Sequence, residues 1–156
     1  MPQRPINELS SASSYSSDPT ISRILYRDPN WGLTVGYANQ DIYWRSRESA
    51  AGEGATGRFD IGYFTLKNKL VFPVAGGGGT NGHLKSLKII KALDNSTLAI
   101  YTLDTLLAGA NSDTLKIAVI DTSSLVNIVC SLSFVDSDPN GGWAWIGFDL
   151  SNVYCY

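Results

Sequence analysis

The chain has 156 residues, of which 44% are hydrophobic and 17% are charged, with a formal net charge of −2. This is the size of one domain with a sizeable core, and the apolar content excludes disorder along the whole chain. The charge balance provides no basic surface patch of the kind that binds nucleic acid. No run of apolar residues approaches the roughly 20 that span a bilayer. We therefore predict no nucleic-acid partner and no membrane insertion.

Residues 1–20 are rich in serine and proline and poor in large apolar groups. Such a segment is expected to form an extended N-terminal arm that is ordered only where something else holds it. Residues 21–156 are then predicted to form a single domain.

In the first half of the domain, short apolar runs alternate with turn residues, which predicts strands. These strands are predicted at residues 21–27, 32–38, 41–45, 58–66 and 69–74. The last two are expected to form a hairpin across Lys67 and Asn68. The glycine run 76–79 lacks the Lys-Ser/Thr that follows a phosphate-binding loop, so we interpret it as a flexible connection.

The second half shows clearer patterns, with strands predicted at residues 87–92, 97–103, 114–120, 126–134 and 143–150. The first two of these flank Asp94-Asn95-Ser96, a good hairpin turn. Residues 103–110 suit either one helical turn or more strand. Apolar side chains alternate with polar ones through 126–134, the period of a half-buried strand. The fold class is therefore all-β: an antiparallel, jelly-roll-like β-sandwich, with a small closed barrel as the alternative.

No catalytic motif is recognisable, so we predict a protein that is not an enzyme. His83 is the only histidine, and it follows the glycine run in what is expected to be an exposed loop. A hydrolase is the alternative, and it would need a cleft that gathers two aspartates, or His83 with a serine. The two cysteines, Cys130 and Cys155, are interpreted as buried free thiols, with a disulfide as the alternative.

Asp136, Asp138 and Asn140 match the opening of a calcium-binding loop. The twelfth position is Gly147 where a bidentate glutamate is expected, so a plain β-turn is the favoured interpretation. We predict no cofactor, and calcium at these three residues is the lesser alternative.

Alternation in the segment 143–150 puts Ala144, Ile146, Phe148 and Leu150 on one face. Trp143 and Trp145 then project outward from the core, about 7 Å apart along the strand. Exposed aromatic side chains of this kind mark glycan-binding or protein-binding surfaces, and internal packing is the third alternative. The predicted platform comprises Trp143, Trp145, Asp149, Asp136, Asp138 and Asn140, whose polar groups would bind sugar hydroxyls.

A second aromatic cluster is predicted from Trp31, Tyr43, Trp44 and Arg45. It could stack on a sugar or base, or it could be a strand end that packs one aromatic ring inward.

The segment Pro5-Ile6-Asn7-Glu8-Leu9, continuing through Ser13 to Asp18, resembles the opening of some bacteriophage tail proteins, with Ser10 where that pattern has proline. Residues 83–103 and 143–153 resemble strands of β-sandwich carbohydrate-binding modules, including those of phage tailspikes and fibres. The resemblance implies a structural or attachment component of a phage-type virion, in a tail, fibre or capsid decoration.

Such a component would contact other virion subunits or its own copies as a homo-oligomer, through the arm, and would bind cell-surface glycan as a further role. Its expected location is the virion; a protein not encoded by a phage would be soluble and cytoplasmic, or released without a classical signal peptide. The alternative function is a free-standing lectin or carbohydrate-binding module.

Overall fold

The structure is a computed structural model that describes residues 25–28, 31–35, 42–46 and 52–156. These residues form eleven strands in two packed antiparallel sheets, which confirms the predicted β-sandwich. The predicted arm, residues 1–20, lies outside the described residues. Within the described ranges, no helix has the length and apolar character needed to cross a membrane.

Sheet I contains, in spatial order, β1 (Leu25–Arg27), β4 (Gly57–Thr65), β9 (Val129–Asp136), β6 (Lys85–Lys91) and β7 (Thr97–Thr102). Sheet II begins at its edge with β8 (Asn111–Asp121), followed by β5 (Lys69–Gly77). The short strands β10 (Ile146–Phe148) and β11 (Tyr154–Cys155) share the other side of β5. Next to β10 come β3 (Ile42–Arg45) and β2 (Gly32–Val35).

The connection that follows β7 contains one helical turn, α1 (Leu103–Leu106). This agrees with the helical-turn interpretation of residues 103–110. Short 3-10 turns lie at Gly52–Gly54, Gly82–Leu84, Ser123–Leu125 and Leu150–Asn152. His83 is exposed in the second of these turns, as expected.

The main core lies between the two sheets. Cys130, Leu132 and Phe134 of β9 are fully buried, which confirms the inward face predicted there, but Ser131 and Ser133 on the other face are buried as well, so the strand is not half-buried. The strand begins at Val129 instead of 126, because Asn127 adopts a positive φ of 72° and forms a turn. Phe134 stacks on Phe148 of β10 with ring centroids 3.8 Å apart, so aromatic contacts join the two sheets across the core.

Trp31 belongs to this core, so it cannot stack on a sugar or base as one interpretation of the second aromatic cluster required. Its ring is fully buried and makes edge contacts with Phe59 and Phe148 at centroid distances of 5.8 and 5.9 Å. The two cysteines are buried free thiols, as predicted.

The predicted hairpin across Lys67 and Asn68 is wrong, because β4 and β5 belong to different sheets. The connecting corner is held by another loop: Thr122 donates its backbone N–H to the Asn68 carbonyl at 2.8 Å and its hydroxyl to the Lys67 carbonyl at 2.7 Å. Turn residues therefore mark a reversal here without pairing the strands they join. The hairpin of β6 and β7 is confirmed, with the Asp94 carboxylate accepting the Ser96 N–H at 3.0 Å.

The glycine run is packed, and its interpretation as a flexible connection is wrong. β5 continues through Gly77, and Gly76, Gly77 and Gly78 are buried. A Cβ atom on Gly77 would collide with the carbonyl oxygen of Trp143, and Gly76 has a φ of +126° that favours glycine. The missing side chains let the segment before β10 lie directly against β5.

Candidate functional site

Members of the two predicted aromatic clusters meet on the outer face of sheet II, the face turned away from the main core. Tyr43, Trp145 and Trp143 form a run of three stacked rings, which we call the aromatic stack. The centroids of Tyr43 and Trp145 are 6.1 Å apart and those of Trp145 and Trp143 are 6.0 Å apart, both pairs with an interplanar angle of 18°. The guanidinium carbon of Arg45 lies 5.4 Å from the centre of the Trp145 ring, a cation–π contact.

Strand alternation explains why these side chains share a face. On β3, Trp44 turns toward the main core and contacts Phe59 at 5.3 Å, so its neighbours Tyr43 and Arg45 turn outward. Gly147 of β10 makes room for the Tyr43 ring, because a Cβ atom there would lie 2.8 Å from two of its ring carbons.

The predicted direction of Trp145 is correct, since Ile146 and Phe148 are buried in the main core and Trp145 packs on the opposite face. The strand predicted at 143–150 is shorter, Ile146–Phe148, and Trp143 lies in a bend before it. The prediction that Trp145 faces solvent is wrong, because only 3% of it is exposed. Trp143 is half-buried and is the one ring of the aromatic stack with substantial exposure.

The N-terminal part of β8 contributes to this burial. The pairing of β5 with β8 shifts register between Val74 and Gly76, which is a β-bulge that bends β8. The Tyr43 hydroxyl donates to the Asp113 carbonyl at 3.4 Å, and Leu115 packs against the aromatic stack.

Beneath the loop that carries Trp143 lies a fully buried lysine. The Lys85 ammonium donates three hydrogen bonds: to the Asp138 carboxylate at 3.0 Å, to the Thr80 carbonyl at 2.8 Å and to the Trp143 carbonyl at 3.0 Å. Both members of the Lys85–Asp138 ion pair have fully buried side chains. Trp143 itself has a positive φ of 62°, a strained conformation for a non-glycine residue, and the bond from Lys85 holds its carbonyl in that arrangement.

A second buried carboxylate completes this network. Asp136 accepts the Ser46 hydroxyl at 2.5 Å and the Asp138 N–H at 2.9 Å, while the Ser46 oxygen accepts the Ile146 N–H at 3.1 Å. Burial raises the pKa of the Asp136 carboxyl to about 7. Burial also opposes ionisation of Asp138, but hydrogen bonds from Lys85 and Asn140 outweigh it, so the pKa of Asp138 is lowered. One ammonium thus balances one carboxylate, and Asp136 is the acid that more readily keeps its proton.

These contacts correct the predicted roles of the acidic residues. Asp136 is 1% exposed and Asp138 is fully buried, so their carboxylates stabilise the loop from inside instead of reaching sugar hydroxyls. In the lesser calcium alternative Asp138 would bind a metal, but here it binds the Lys85 ammonium. Among the described residues, no group of three His, Cys, Asp or Glu side chains is arranged to hold a metal. Asp149 accepts the Ser151 N–H at 3.0 Å and so caps the following 3-10 turn.

A polar cleft of about 440 Å³ opens beside this network, between the start of β4 and the end of β9. Its lining residues are Asp28, Thr56, Gly57, Arg58, Val135, Asp136, Ser137 and Pro139. The cleft gathers two aspartates, which is what the hydrolase alternative requires. Both oxygens of Asp136, however, accept hydrogen bonds from Ser46 and Asp138 inside the protein.

The sequence interpretation missed Lys85 and Ser46. A signal for Lys85 was present, because it lies in phase with Leu87 and Ile89, the inward-facing residues of β6. A lysine at an inward position of a strand predicts a buried partner of opposite charge. Ser46 carries no comparable signal, since it follows the last residue of β3 and its partner lies 90 positions away.

No family model and no curated protein matches the chain. Among solved structures it is similar to a carbohydrate-binding module from the lichenase 5A of Cellvibrio mixtus, in complex with cellotriose. The identity is 12%, the TM-score is 0.35, and the match covers 79% of this chain and 88% of that chain. The predicted virion role finds no support in these comparisons, and the segment 5–13 that suggested it lies outside the described residues.

Proposed function

We propose that this chain is a non-enzymatic glycan-binding β-sandwich module, and that Trp143 is the ring on which a sugar stacks. The observation that carries the proposal is the partly exposed ring of Trp143, which stacks on Trp145 and whose backbone carbonyl accepts a hydrogen bond from a buried charge. This is the function that the sequence analysis kept as its alternative.

Sugar stacking requires a flat apolar ring that is already in place before the ligand arrives. Trp145 supports Trp143 from one side at 6.0 Å, and Tyr43 supports Trp145 in turn. A ring held in this way loses little conformational freedom on binding, which favours affinity. The stack also explains why a tryptophan that is nearly inaccessible contributes to the site, because Trp145 acts through Trp143.

Hydrogen-bonding groups surround the same loop. Asn140 is exposed, and its side-chain NH₂ is used by Asp138 at 2.9 Å, which leaves its carbonyl oxygen to accept a hydroxyl. Thr80 accepts the Asn111 side-chain amide at 3.0 Å and retains a hydroxyl proton to donate. This region thus offers an apolar ring, one acceptor and one donor, the kinds of group that contact the C–H faces and hydroxyls of a sugar.

The test is a glycan array probed with the full chain, followed by calorimetric titration of the best ligand. We expect Trp143→Ala to lower the affinity at least about tenfold, as loss of a stacking contact predicts, and Trp143→Tyr to retain part of it. Tyr156→Ala is the matched control, because Tyr156 is a 40% exposed aromatic residue that pairs with Lys69 at the opposite end of β5. An array without hits, or a Trp143→Ala variant that binds like the wild type, would refute the proposal.

A further inference from the structure

The outer edge of sheet II is a long strand with an apolar face. β8 has eleven residues, and within the described ranges it pairs with β5 alone. Ile117 and Val119 are 66% and 61% exposed on the outer face, whereas Ala118 and Ile120 are buried against the core. An edge strand of this length presents a row of backbone donors and acceptors that another strand can pair with.

The first half of β8 carries two features that protect edge strands. The bulge near Asp113 bends that half, and Lys116 places a charge on it. The second half is regular in its pairing with β5, and Ile117 and Val119 lie opposite Pro73 and Val71, which extends the apolar face across the sheet. Between Lys116 and Asp121 the strand therefore carries no such feature.

We propose that β8 pairs with β8 of a second copy, antiparallel and about a two-fold axis, so that the two copies of sheet II become one continuous sheet. A second copy is the occupant we infer because the strand is complementary to itself in one register. A two-fold axis perpendicular to the sheet keeps outer residues opposite outer residues, so the pairing centres on a residue.

Charge and shape select that centre. Centring on Ile117 would place Val119 opposite Leu115 of the second copy, which lies in the bulge and packs against the aromatic stack. Centring on Val119 would place Ile117 opposite Asp121. Centring on Ala118 places Ile117 opposite Val119 of the second copy, twice, with no like charges opposed. This register joins the exposed aliphatic side chains of both copies into one patch.

The first experiment is sedimentation velocity of the full chain over a range of concentrations. We expect a reversible monomer–dimer equilibrium in about the micromolar to sub-millimolar range, typical of a small interface. Val119→Lys should weaken the association at least about tenfold. Ile100→Lys is the matched control, because Ile100 is 55% exposed on β7, the edge strand of the other sheet, and this variant should associate like the wild type.

A cross-linking experiment tests the register. Ile117→Cys and Val119→Cys are mixed in equal amounts and oxidised, and intact mass distinguishes the mixed dimer from each homodimer. The mixed dimer should dominate, while the wild type, whose two thiols are buried, should not cross-link. A wild type that stays monomeric at every concentration would overturn the dimer. Equal weakening by both lysine variants would overturn the assignment to β8, and a dominant homodimer of Ile117→Cys would overturn the register.

Discussion

The Lys85 ammonium donates a 3.0 Å hydrogen bond to the carbonyl oxygen of Trp143, so a buried charge and the partly exposed ring of the aromatic stack are directly linked. The same ammonium is neutralised by Asp138, which begins the turn that leads to Trp143. Stability of the loop and placement of the ring therefore depend on one set of contacts, and substitutions in that set are expected to change both.

Lys85→Met is expected to lower the free energy of unfolding by about 3 to 5 kcal/mol, because it leaves the buried Asp138 carboxylate without its counter-ion. Urea denaturation measures the loss. Lys88→Met is the control on the same strand, since Lys88 is half-buried, and it should change stability by about 0.5 kcal/mol or less.

A double substitution separates the effect of the Lys85–Asp138 ion pair on stability from the effects of the individual charges. Combining Lys85→Met with Asp138→Asn removes both charges, so the double variant should be more stable than Lys85→Met alone. If it is less stable, the ion pair does not account for the effect of the single substitution.

Asp136 should make the stability depend on pH. Burial raises its pKa from 3.8 to about 7, so between these values the folded protein binds a proton that the unfolded chain has lost. The contribution of this group to stability is therefore greatest at the acidic end of the window and is lost as the pH rises through about 7.

Asp136→Asn removes this dependence while preserving the shape of the side chain. Between about pH 5 and about pH 8, the wild type should lose on the order of 2 kcal/mol relative to the variant, measured by urea denaturation at both values. Identical pH profiles of the two proteins would show that Asp136 does not titrate with a raised pKa.

The two tryptophans of the outer face should behave differently when they are removed. Trp145 is 3% exposed, so Trp145→Ala is expected to lower the free energy of unfolding by about 3 to 5 kcal/mol. Trp143 is half-buried, and Trp143→Ala should lower it by about 1 to 2 kcal/mol. Denaturation curves of the two variants measure these losses of unfolding free energy. Equal losses would contradict the difference in burial between the two rings.

Gly77→Ala should be strongly destabilising, by about 3 kcal/mol or more, because the added methyl group collides with the backbone of Trp143. Gly141→Ala provides the control in the neighbouring loop, since a Cβ atom there meets nothing within 4 Å. Thermal unfolding followed by circular dichroism compares the two. A Gly77→Ala protein as stable as Gly141→Ala would mean that the segment before β10 can move away from β5.

Local patterns predicted much of the fold and little of the connectivity. The alternation of Cys130, Leu132 and Phe134 identified an inward face because side-chain period is a local property. The corner at Lys67 and Asn68 has the same local signals as a hairpin, yet its backbone groups bond to Thr122, more than fifty residues downstream. No local pattern reports such a partner.

In the candidate site, too, local patterns predicted the direction of side chains but not their distant partners. Alternation correctly placed Trp145 on the face opposite Phe148, but its burial depends on Tyr43 and on the bulge in β8, which are distant in sequence. Asp136 and Asp138 looked like surface acids of a turn, because their partners Ser46 and Lys85 are distant in sequence.

The short strand β10 has a consequence for synthesis of the chain. In the described part of the chain, β10 is what joins β2 and β3 to β5, and Ser46 bonds Ile146 from a position 100 residues earlier. At typical translation rates, β3 therefore waits about 5 to 20 seconds on the ribosome for its partner. During that interval Val74 of β5 lacks its neighbour Phe148 of β10, so the nascent chain presents an unfinished apolar sheet to the chaperones around it.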